Sequence, residues 1–275
     1  MTDWDEMAGV WLERPAGGLW RRHSDTLNRG LLERWLPERL DAVLKTDLFD
    51  EAVSDGLAGV LGARASRVVG VDLNVEIVEA ARRRHPGIEA HVADVRALPF
   101  ESGSFGAIVS NSTLDHFDHE REITVAVGEL ARVLRPGGSL VLTLDNPSNP
   151  VVALGKALPR KALNRIWRLV GKSTARVGLA PYYMGATLDP RGMRETARAA
   201  GLAPGDETTL VHAPRVLAVM IAAALESRSP RVQSRFLTVL AACERLGSTP
   251  VGRFTAHANA LLAVKPSPGD PSETG

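Results

Sequence analysis

Two acidic residues follow strand-like segments of the chain in an arrangement that could bind a nucleoside. The β-branched run that begins at Arg67 ends on Asp72, and the next strand-like segment, Glu89–Ala93, is followed by Asp94. In an open α/β sheet, ligands bind at the carboxyl ends of the strands. One carboxylate there can accept hydrogen bonds from both ribose hydroxyls, and a second, one strand over, can accept from an adenine amino group. The two acids therefore predict a cofactor that contains adenosine.

A second group of residues that could do chemistry contains Asp115, His116, Asp118 and His119. Histidine is the side chain best suited near neutral pH to accept a proton from a hydroxyl or amine nucleophile. We expect Asp118 to cap the next helix and His119 to be solvated on its first turn. His116 is the candidate general base, because it lies in the segment that leaves the preceding strand. Catalysis by alignment alone, without a base, is the alternative.

The segments around these residues alternate between strand and helix patterns. Phe105–Ser112 is a short apolar strand that ends in small polar residues, and Asp118–Leu134 has the spacing of an amphipathic helix. Arg135–Gly138 contains Pro and two glycines and should end that helix, after which Ser139–Leu144 forms the next strand. This alternation predicts an α/β fold with a largely parallel sheet.

Four short motifs in this region resemble the class I S-adenosylmethionine-dependent methyltransferases. They are Gly70–Leu73, Ala93–Val95, Ser110–Asn111 and Leu134–Gly138, in the order and spacing of that family. The resemblance covers residues 41–145. It implies a Rossmann-like, seven-stranded methyltransferase sheet with helices on both faces, S-adenosyl-L-methionine as the cofactor, and helical insertions that form a lid over the substrate.

The resemblance also implies which residues bind the cofactor. They follow successive strands of the core and are Lys45, Thr46, Asp47, Asp72, Leu73, Asp94, Val95, Ser110 and Asn111. We expect Asp115 to contact the substrate, and also Tyr182 or Tyr183, although the core of the lid is an alternative place for the two tyrosines. We expect no metal, because sulfonium chemistry needs none and no histidine or cysteine pair has the spacing of zinc ligands.

One segment departs from the pattern of the family. The first strand, Asp41–Lys45, runs into Thr46–Gly56, and no glycine lies between Lys45 and Asp55. The family normally has a glycine-rich loop here, so that the backbone can approach the methionine part of the cofactor. Either the loop takes another path, or cofactor binding is weakened or lost. An acid in this loop, such as Asp47, could bind the α-ammonium of the cofactor, and Lys45 could face its carboxylate.

Composition and pattern divide the chain into successive parts. We predict an N-terminal helical cover (1–37), a cofactor-binding core (38–145), a helical lid (146–188), a C-terminal part of the sheet (189–265) with a helical insertion (213–250), and a disordered tail (266–275). The lid would contain an amphipathic helix, Pro159–Gly171. Seven Lys or Arg and no acid occur from Lys156 through Arg176, which is typical of a solvated face but would also suit an acidic substrate or an anionic membrane surface.

Bulk properties limit the partners. The formal net charge of +1 argues against nucleic acid recognised by bulk charge. The single cysteine, Cys243, excludes a disulfide framework and fits a reducing cytoplasm. We expect no signal peptide, and the longest apolar run, Val216–Leu225, has about half of the ~20 residues needed for an integral membrane segment. We therefore predict a cytoplasmic protein with a small-molecule partner; a weak peripheral membrane contact and a homodimer stay open.

The favoured function is methyl transfer from S-adenosylmethionine to O, N or C of a small-molecule acceptor in a biosynthetic reaction. Two alternatives stay open. The first is an enzyme of another class that uses the same cofactor for cyclisation, elimination or decarboxylation. The second is a non-catalytic relative of the fold that serves as a binding subunit.

Overall fold

Seven β-strands form one sheet in the computed structural model, which describes residues 18–157 and 185–269. In chain order the strands are β1 (Leu40–Lys45), β2 (Ala65–Asp72), β3 (Ile88–Val92), β4 (Phe105–Asn111), β5 (Leu134–Asp145), β6 (Ala203–Leu210) and β7 (Ala258–Val264). Their order across the sheet is β3-β2-β1-β4-β5-β7-β6. Strands β1 to β5 are parallel, and β7 runs antiparallel to both of its neighbours. The predicted fold class, a seven-stranded methyltransferase sheet with helices on both faces, is confirmed.

Helices connect the strands. The α-helices are α1 (Gly18–Trp35), α2 (Phe49–Val53), α3 (Ala58–Arg64), α4 (Val75–Arg84), α5 (Glu120–Val133), α6 (Pro150–Ala157), α7 (Pro190–Ala199), α8 (Arg215–Leu225), α9 (Pro230–Cys243) and α10 (Gly252–Thr255). Two short 3₁₀ helices span Leu114–His116 and Glu244–Ser248. None of the helices in the described ranges is both long and apolar enough to cross a membrane.

The register of the sheet brings the candidate residues to one edge. Lys45 at the end of β1 lies opposite Gly70 of β2 and Val109 of β4, and Asp72 lies opposite Val92 at the end of β3. The ends of β1 to β5 are therefore close together, and we call this side of the sheet the carboxyl edge. The loops that follow these strands all leave from it, which is where ligands bind in open α/β sheets.

Local sequence signals set several helix ends. The side chain of Asn74 caps α4 by accepting from the Ile77 amide at 3.0 Å. Asp189 caps α7 by accepting from Gly192 at 2.7 Å, with Pro190 in the first turn, and Gly201 follows that helix with a φ of +77°.

Helix α5 begins one residue later than the sequence indicated. His119, rather than Asp118, occupies the N-cap position, and its backbone amide donates to Glu122 Oε2 at 3.0 Å. A glutamate three residues after the cap can satisfy the cap's own amide, which fixes the start of the helix at His119. The expectation that Asp118 caps this helix was wrong.

Two apolar clusters fill the two faces of the sheet. One packs α1 to α4 against the strands, and the other packs α5 and α7 against the opposite face. The predicted apolar face of α5 is confirmed, because Ile123, Val127, Leu130 and the following Leu134 are all fully buried. This burial holds the strands in register and so fixes the positions of the loops at the carboxyl edge.

Helix α9 and strand β6 belong to the C-terminal part of the chain. Helix α9 buries Leu240 but leaves Val232 and Val239 exposed, and Cys243 is half-buried. Strand β6 ends at Leu210, because Val211 adopts a φ of +62° that takes the chain out of the sheet. The predicted helix at 159–171 and residues 1–17 of the predicted N-terminal helical cover lie outside the described residues.

We expect Ile123→Ala to lower the free energy of unfolding by about 2–5 kcal/mol, because it leaves a cavity at a fully buried position of α5. Val125→Ala on the same helix is the matched control, since Val125 is 55% exposed and its truncation should change stability by less than about 0.5 kcal/mol. Urea unfolding of the two variants measures the difference, and equal losses would contradict this placement of α5.

Candidate cofactor and substrate site

A buried ion pair shapes the loop that follows β1. Lys45 Nζ lies 2.8 Å from Glu51 Oε2, and the two side chains are 2% and 0% exposed. Lys45 Nζ also donates to the carbonyl oxygen of Asp47, and Glu51 Oε1 accepts from the Leu57 amide at 2.8 Å. Burial acts to lower the pKa of Lys45, but Glu51 and Asp47 hold it above its ordinary value. The pair thus fixes the path of the glycine-free loop through side chains.

The path of this loop brings the Leu48 amide to the carboxylate of Asp72. The Leu48 amide donates to Asp72 Oδ2 at 3.1 Å, and the Asn74 amide donates to Oδ1 at 2.9 Å. The side chain of Leu48 packs onto Gly70, where a Cβ would collide with Leu48 Cδ2. Burial raises the pKa of Asp72, while its two backbone hydrogen bonds lower it. A carboxylate that accepts one bond at each oxygen still has lone pairs for two further donors.

Beside Asp72, the structure places an apolar side chain and a second acid. Leu73 is 62% exposed, and Val95 is buried next to Asp94. The Asp94 carboxylate is half-buried and pairs with Arg96, whose Nη2 lies 2.6 Å from Oδ2. The hydrogen bond from Arg96 holds the pKa of Asp94 below its usual range. Asp94 is therefore ionised, and a ligand amino group would share it with Arg96.

Arg96 was not among the residues singled out from the sequence. It also pairs with Glu122 at 2.6 Å, and its guanidinium lies 5.0 Å from the centre of the Phe117 ring. The available signal was a basic residue two positions after a strand-end acid. Its links to α5 and to Phe117 depend on the fold and could not be seen locally.

Hydroxyl and amide side chains join the ends of β1, β4 and β5. Thr46 Oγ1 lies 3.1 Å from Ser110 Oγ, and both side chains are buried. Asn111 Oδ1 accepts from Thr143 Oγ1 at 2.8 Å. Ser112, directly after β4, has a φ of +49°, which is a strained conformation for a residue other than glycine. Thr46 and Ser110 thus bond to each other, and Asn111 is the half-buried member of the three.

The 3₁₀ helix after β4 carries Asp115 and His116. Asp115 is 1% exposed, and its Oδ2 accepts from the Asp145 amide at 3.1 Å. Its Oδ1 has no hydrogen-bond partner among the described residues. Burial raises the pKa of Asp115 to about 7. His116 is half-buried and close enough to Asp72 for its charge to lower the pKa of that carboxyl.

A further polar cluster, which the sequence did not indicate, lies beside Asp115. His257 Nε2 is 3.4 Å from Asp145 Oδ1 and 2.7 Å from Arg215 Nη1. Burial, and then Arg215, lower the pKa of His257 to about 3, so the ring is neutral and can accept from the guanidinium. His257 is buried. The sequence signal that could have indicated this cluster is Asp145, an acid at the end of β5, just as Asp72 is an acid at the end of β2.

The predicted site residues therefore separate into groups. Asp47, Asp72, Leu73, Asp94 and His116 lie at the carboxyl edge with side chains that are half-buried or exposed. The ammonium of Lys45 is turned to Glu51, so the structure corrects the idea that it faces a cofactor carboxylate. Tyr182 and Tyr183 lie outside the described residues. Within 18–157 and 185–269, no group of three or more His, Cys, Asp or Glu could hold a metal ion.

Similarity to known proteins decides the family. Residues 34–142 match the family described as "Methyltransferase domain". A demethylmenaquinone methyltransferase of Clavibacter sepedonicus is 30% identical over 169 residues, which are 59% of this chain and 68% of that protein. The chain belongs to the class I S-adenosylmethionine-dependent methyltransferases. The family that its motifs resembled is thereby confirmed, and with it S-adenosylmethionine as the cofactor of that family.

This methyltransferase-family chain also matches parts of two further relatives. An uncharacterized 37.1 kDa protein in transposon TN4556 of Streptomyces fradiae is 33% identical over 139 residues, covering 46% of this chain and 39% of that protein. A demethylmenaquinone methyltransferase of Renibacterium salmoninarum is 30% identical over 123 residues, covering 43% and 51%. The chain thus spans about half the length, or less, of these two relatives.

Solved structures of the methyltransferase fold match almost the whole chain. One is a complex between the Haloferax volcanii Trm112 methyltransferase activator and a methyltransferase, with a TM-score of 0.57, 19% identity, and coverage of 94% of this chain and 97% of that chain. Another is the [4+2]-cyclase SpnF, with a TM-score of 0.55, 19% identity, and coverage of 88% and 81%. At these identities the likeness shows the fold alone.

The residues present fit the adenosine end of the family's cofactor. Asp72 retains lone pairs, Asp94 is an ionised carboxylate, and Leu73, next to Asp72 in the chain, offers an exposed apolar surface. The loop after β1 presents the carboxylate of Asp47, which is 25% exposed. Burial raises the pKa of Asp47 and Lys45 lowers it, so an added cation would favour its charged form.

We expect Lys45→Met to lower the free energy of unfolding by about 3–5 kcal/mol, because it leaves Glu51 buried without its cation. The double variant Lys45→Met with Glu51→Gln should recover part of that loss, since no charge then remains uncompensated and Gln can still accept from Leu57. Urea unfolding of both variants gives the comparison. A single variant that loses less than about 1 kcal/mol would show that the pair does not hold the loop.

Proposed function

We propose that this protein catalyses methyl transfer from S-adenosylmethionine to an oxygen, nitrogen or carbon atom of a small-molecule acceptor. The observation that carries the proposal is the group formed by Asp72, Leu73 and Asp94 at the carboxyl edge, in a chain of this family. Backbone amides orient the carboxylate of Asp72, and Arg96 orients that of Asp94. Both carboxylates are therefore held in place before a ligand binds, which is the preorganisation that a binding site needs.

Each residue has a separate part in holding the cofactor. Asp72 would accept hydrogen bonds from the ribose hydroxyls, Asp94 would accept from the adenine amino group, and Leu73 would pack on the adenine ring. Asp47 would accept from the α-ammonium in place of the usual glycine-rich backbone. When bound, the cofactor supplies a sulfonium-activated methyl group as the electrophile.

His116 is proposed as the base for an acceptor that must lose a proton. It is half-buried, it follows β4 at the carboxyl edge, and it acts electrostatically on Asp72, which connects it with the cofactor side of the site. A general base contributes about 10²–10⁴-fold when it lies within reach of the proton. An acceptor that is already nucleophilic would need alignment only.

The acceptor is proposed to be a small molecule, and the reaction to be biosynthetic and cytoplasmic, with no nucleic-acid partner. Relatives named demethylmenaquinone methyltransferases make demethylmenaquinone the first acceptor to test. Residues 146–188 are proposed to cover the acceptor as a lid. A homodimer stays an alternative to a monomer, to be decided by sedimentation.

A second candidate is an enzyme that binds the same cofactor without transferring its methyl group. The side chains in the loop after β1 favour it, because they replace the glycines expected at the methionine end. The fold is also that of a [4+2]-cyclase. Formation of S-adenosylhomocysteine in the presence of an acceptor separates the two: methyl transfer produces it, whereas binding without conversion supports the second candidate.

We expect Asp72→Ala to weaken binding of S-adenosylhomocysteine by about 10- to 100-fold, because a hydrogen bond to a charged group contributes about 1.5–3 kcal/mol. Glu76→Ala is the control, since Glu76 is an exposed acid in the first turn of the next helix. Titration calorimetry measures both affinities, with circular dichroism as a check on folding. Unchanged affinity in Asp72→Ala would remove Asp72 from the site.

We expect His116→Gln to lower turnover by at least about 10²-fold while the affinity for S-adenosylhomocysteine stays within about threefold. The rate of the variant should also lose its dependence on pH in the range where imidazoles titrate. Initial rates with demethylmenaquinone, or with an acceptor identified by screening, provide the measurement. Near-native turnover in the variant would mean that the enzyme works by alignment alone.

A further inference from the structure

Asp115 connects the two ends of the chain segment that departs from the carboxyl edge after β5. Its carboxylate Oδ2 accepts from the Asp145 amide, at the end of β5, at 3.1 Å. Its backbone oxygen accepts from the Gly185 amide at 3.0 Å. These two partners are 40 positions apart in the sequence, and they flank residues 146–184, which are the greater part of the proposed lid and are called the acceptor-side insertion below. One residue of the His116 segment therefore contacts both flanks.

Additional contacts reinforce the same junction. The Ala186 amide donates to the Phe117 oxygen at 2.6 Å, and Thr187 Oγ1 donates to the Asp145 oxygen. A Cβ on Gly185 would collide with the backbone oxygens of Phe117 and Asp115. Because backbone atoms cannot move aside as a flexible side chain can, only glycine fits at this approach.

The carboxylate of Asp115 has properties that are unusual for a group with a purely structural role. It is 1% exposed, its Oδ1 has no hydrogen-bond partner among the described residues, and burial raises its pKa to about 7. The charged and titratable groups near it are Arg215 of α8, Asp145 of β5, His257 before β7, and its neighbour His116. A buried, incompletely satisfied acid costs stability, and such groups concentrate at functional sites.

We propose that Asp115 is a positioning residue that holds the His116 segment against both flanks of the acceptor-side insertion. It sets one relative geometry for the base candidate, the end of β5 and the segment that begins at Gly185. The inference rests on the proposed function only in naming the acceptor side. The contacts themselves exist whether or not the protein transfers a methyl group.

Amide exchange and the ring signals of His116 provide the test. In Asp115→Ala, we expect exchange of the Asp145 amide to accelerate by at least about tenfold and the ¹⁵N resonances of the His116 ring to move, because the accepting carboxylate is lost. In Asp115→Asn, both should stay near the wild type, since an amide oxygen can accept the same bond. Wild-type behaviour of Asp115→Ala in both measurements would overturn the proposal.

Gly185→Ala tests the other flank, because its Cβ should push the chain away from Asp115 and Phe117. We expect faster exchange at the Gly185→Ala position and at Ala186, together with a shift of the His116 resonances. Gly128→Ala in α5 is the control, since nothing lies within 4 Å of its added Cβ. If Gly185→Ala matches this control, the second contact has no positioning effect and the proposal fails.

The pH dependence of the free energy of unfolding distinguishes the titratable Asp115 of the wild type from the neutral side chain of Asp115→Asn. Asp115 has a pKa of about 7 in the fold against an ordinary 3.8, so the folded protein binds the extra proton between these values. The wild type should therefore lose stability relative to Asp115→Asn as the pH rises from about 4 to about 7. A difference that does not change with pH would contradict the burial on which the proposal rests.

Binding of S-adenosylhomocysteine keeps this proposal separate from the proposed function. Affinity in Asp115→Ala within about threefold of the wild type, with altered exchange and His116 signals, supports a role on the acceptor side. If the wild type fails to bind S-adenosylhomocysteine in calorimetry, the proposed function fails, while the exchange comparison still decides the role of Asp115. A large loss of affinity in both Asp115 variants would place Asp115 in the cofactor site and overturn the positioning role.

Discussion

The ion pair between Lys45 and Glu51 is the interaction on which the carboxyl edge depends. It lies between the end of β1 and the loop that follows, in a region from which water is excluded. That loop presents the Leu48 amide to Asp72 and packs the Leu48 side chain on Gly70. A buried pair of this kind adds little net stability over an apolar pair, but it strongly disfavours any loop path that separates the charges. The geometry of the candidate nucleoside site follows from that restriction.

Most of the fold could be predicted from the sequence because its signals are local. Asn74 and Asp189 each cap a helix within three residues of themselves, and the apolar face of α5 repeats at helical spacing. The candidate site could be predicted only in part, because the residues that contact each other there are distant in the sequence or could pair in several ways. Asp115 and Gly185 are 70 positions apart in the sequence, and nothing in the types of these residues indicates that they meet. Lys45 and Glu51 are close in sequence, but a glycine-free loop alone did not predict that they pair.

Burial at this edge works against the ionised state of several carboxyl groups. Asp25 of α1, beside Asp50 and the loop after β1, has a pKa raised to about 7 by burial and then by Asp50. Burial also raises the pKa values of Asp72 and Asp115. A fold selected only for stability would replace such groups with apolar ones of similar size. Their concentration on one side of the sheet indicates a region in which the chain gives up stability for a defined polar surface.

The Lys45–Glu51 pair also has an evolutionary consequence. A change of Glu51 to glycine, toward the usual loop of the family, would leave a buried ammonium without its anion, and a change of Lys45 alone would leave a buried carboxylate without its cation. Each single step is therefore unfavourable although both end states can fold. Such sign epistasis separates this kind of loop from the glycine-rich one by a fitness valley. Lineages that carry the pair should keep both residues or exchange them together, so their co-variation is a better marker of relatives than the missing glycines.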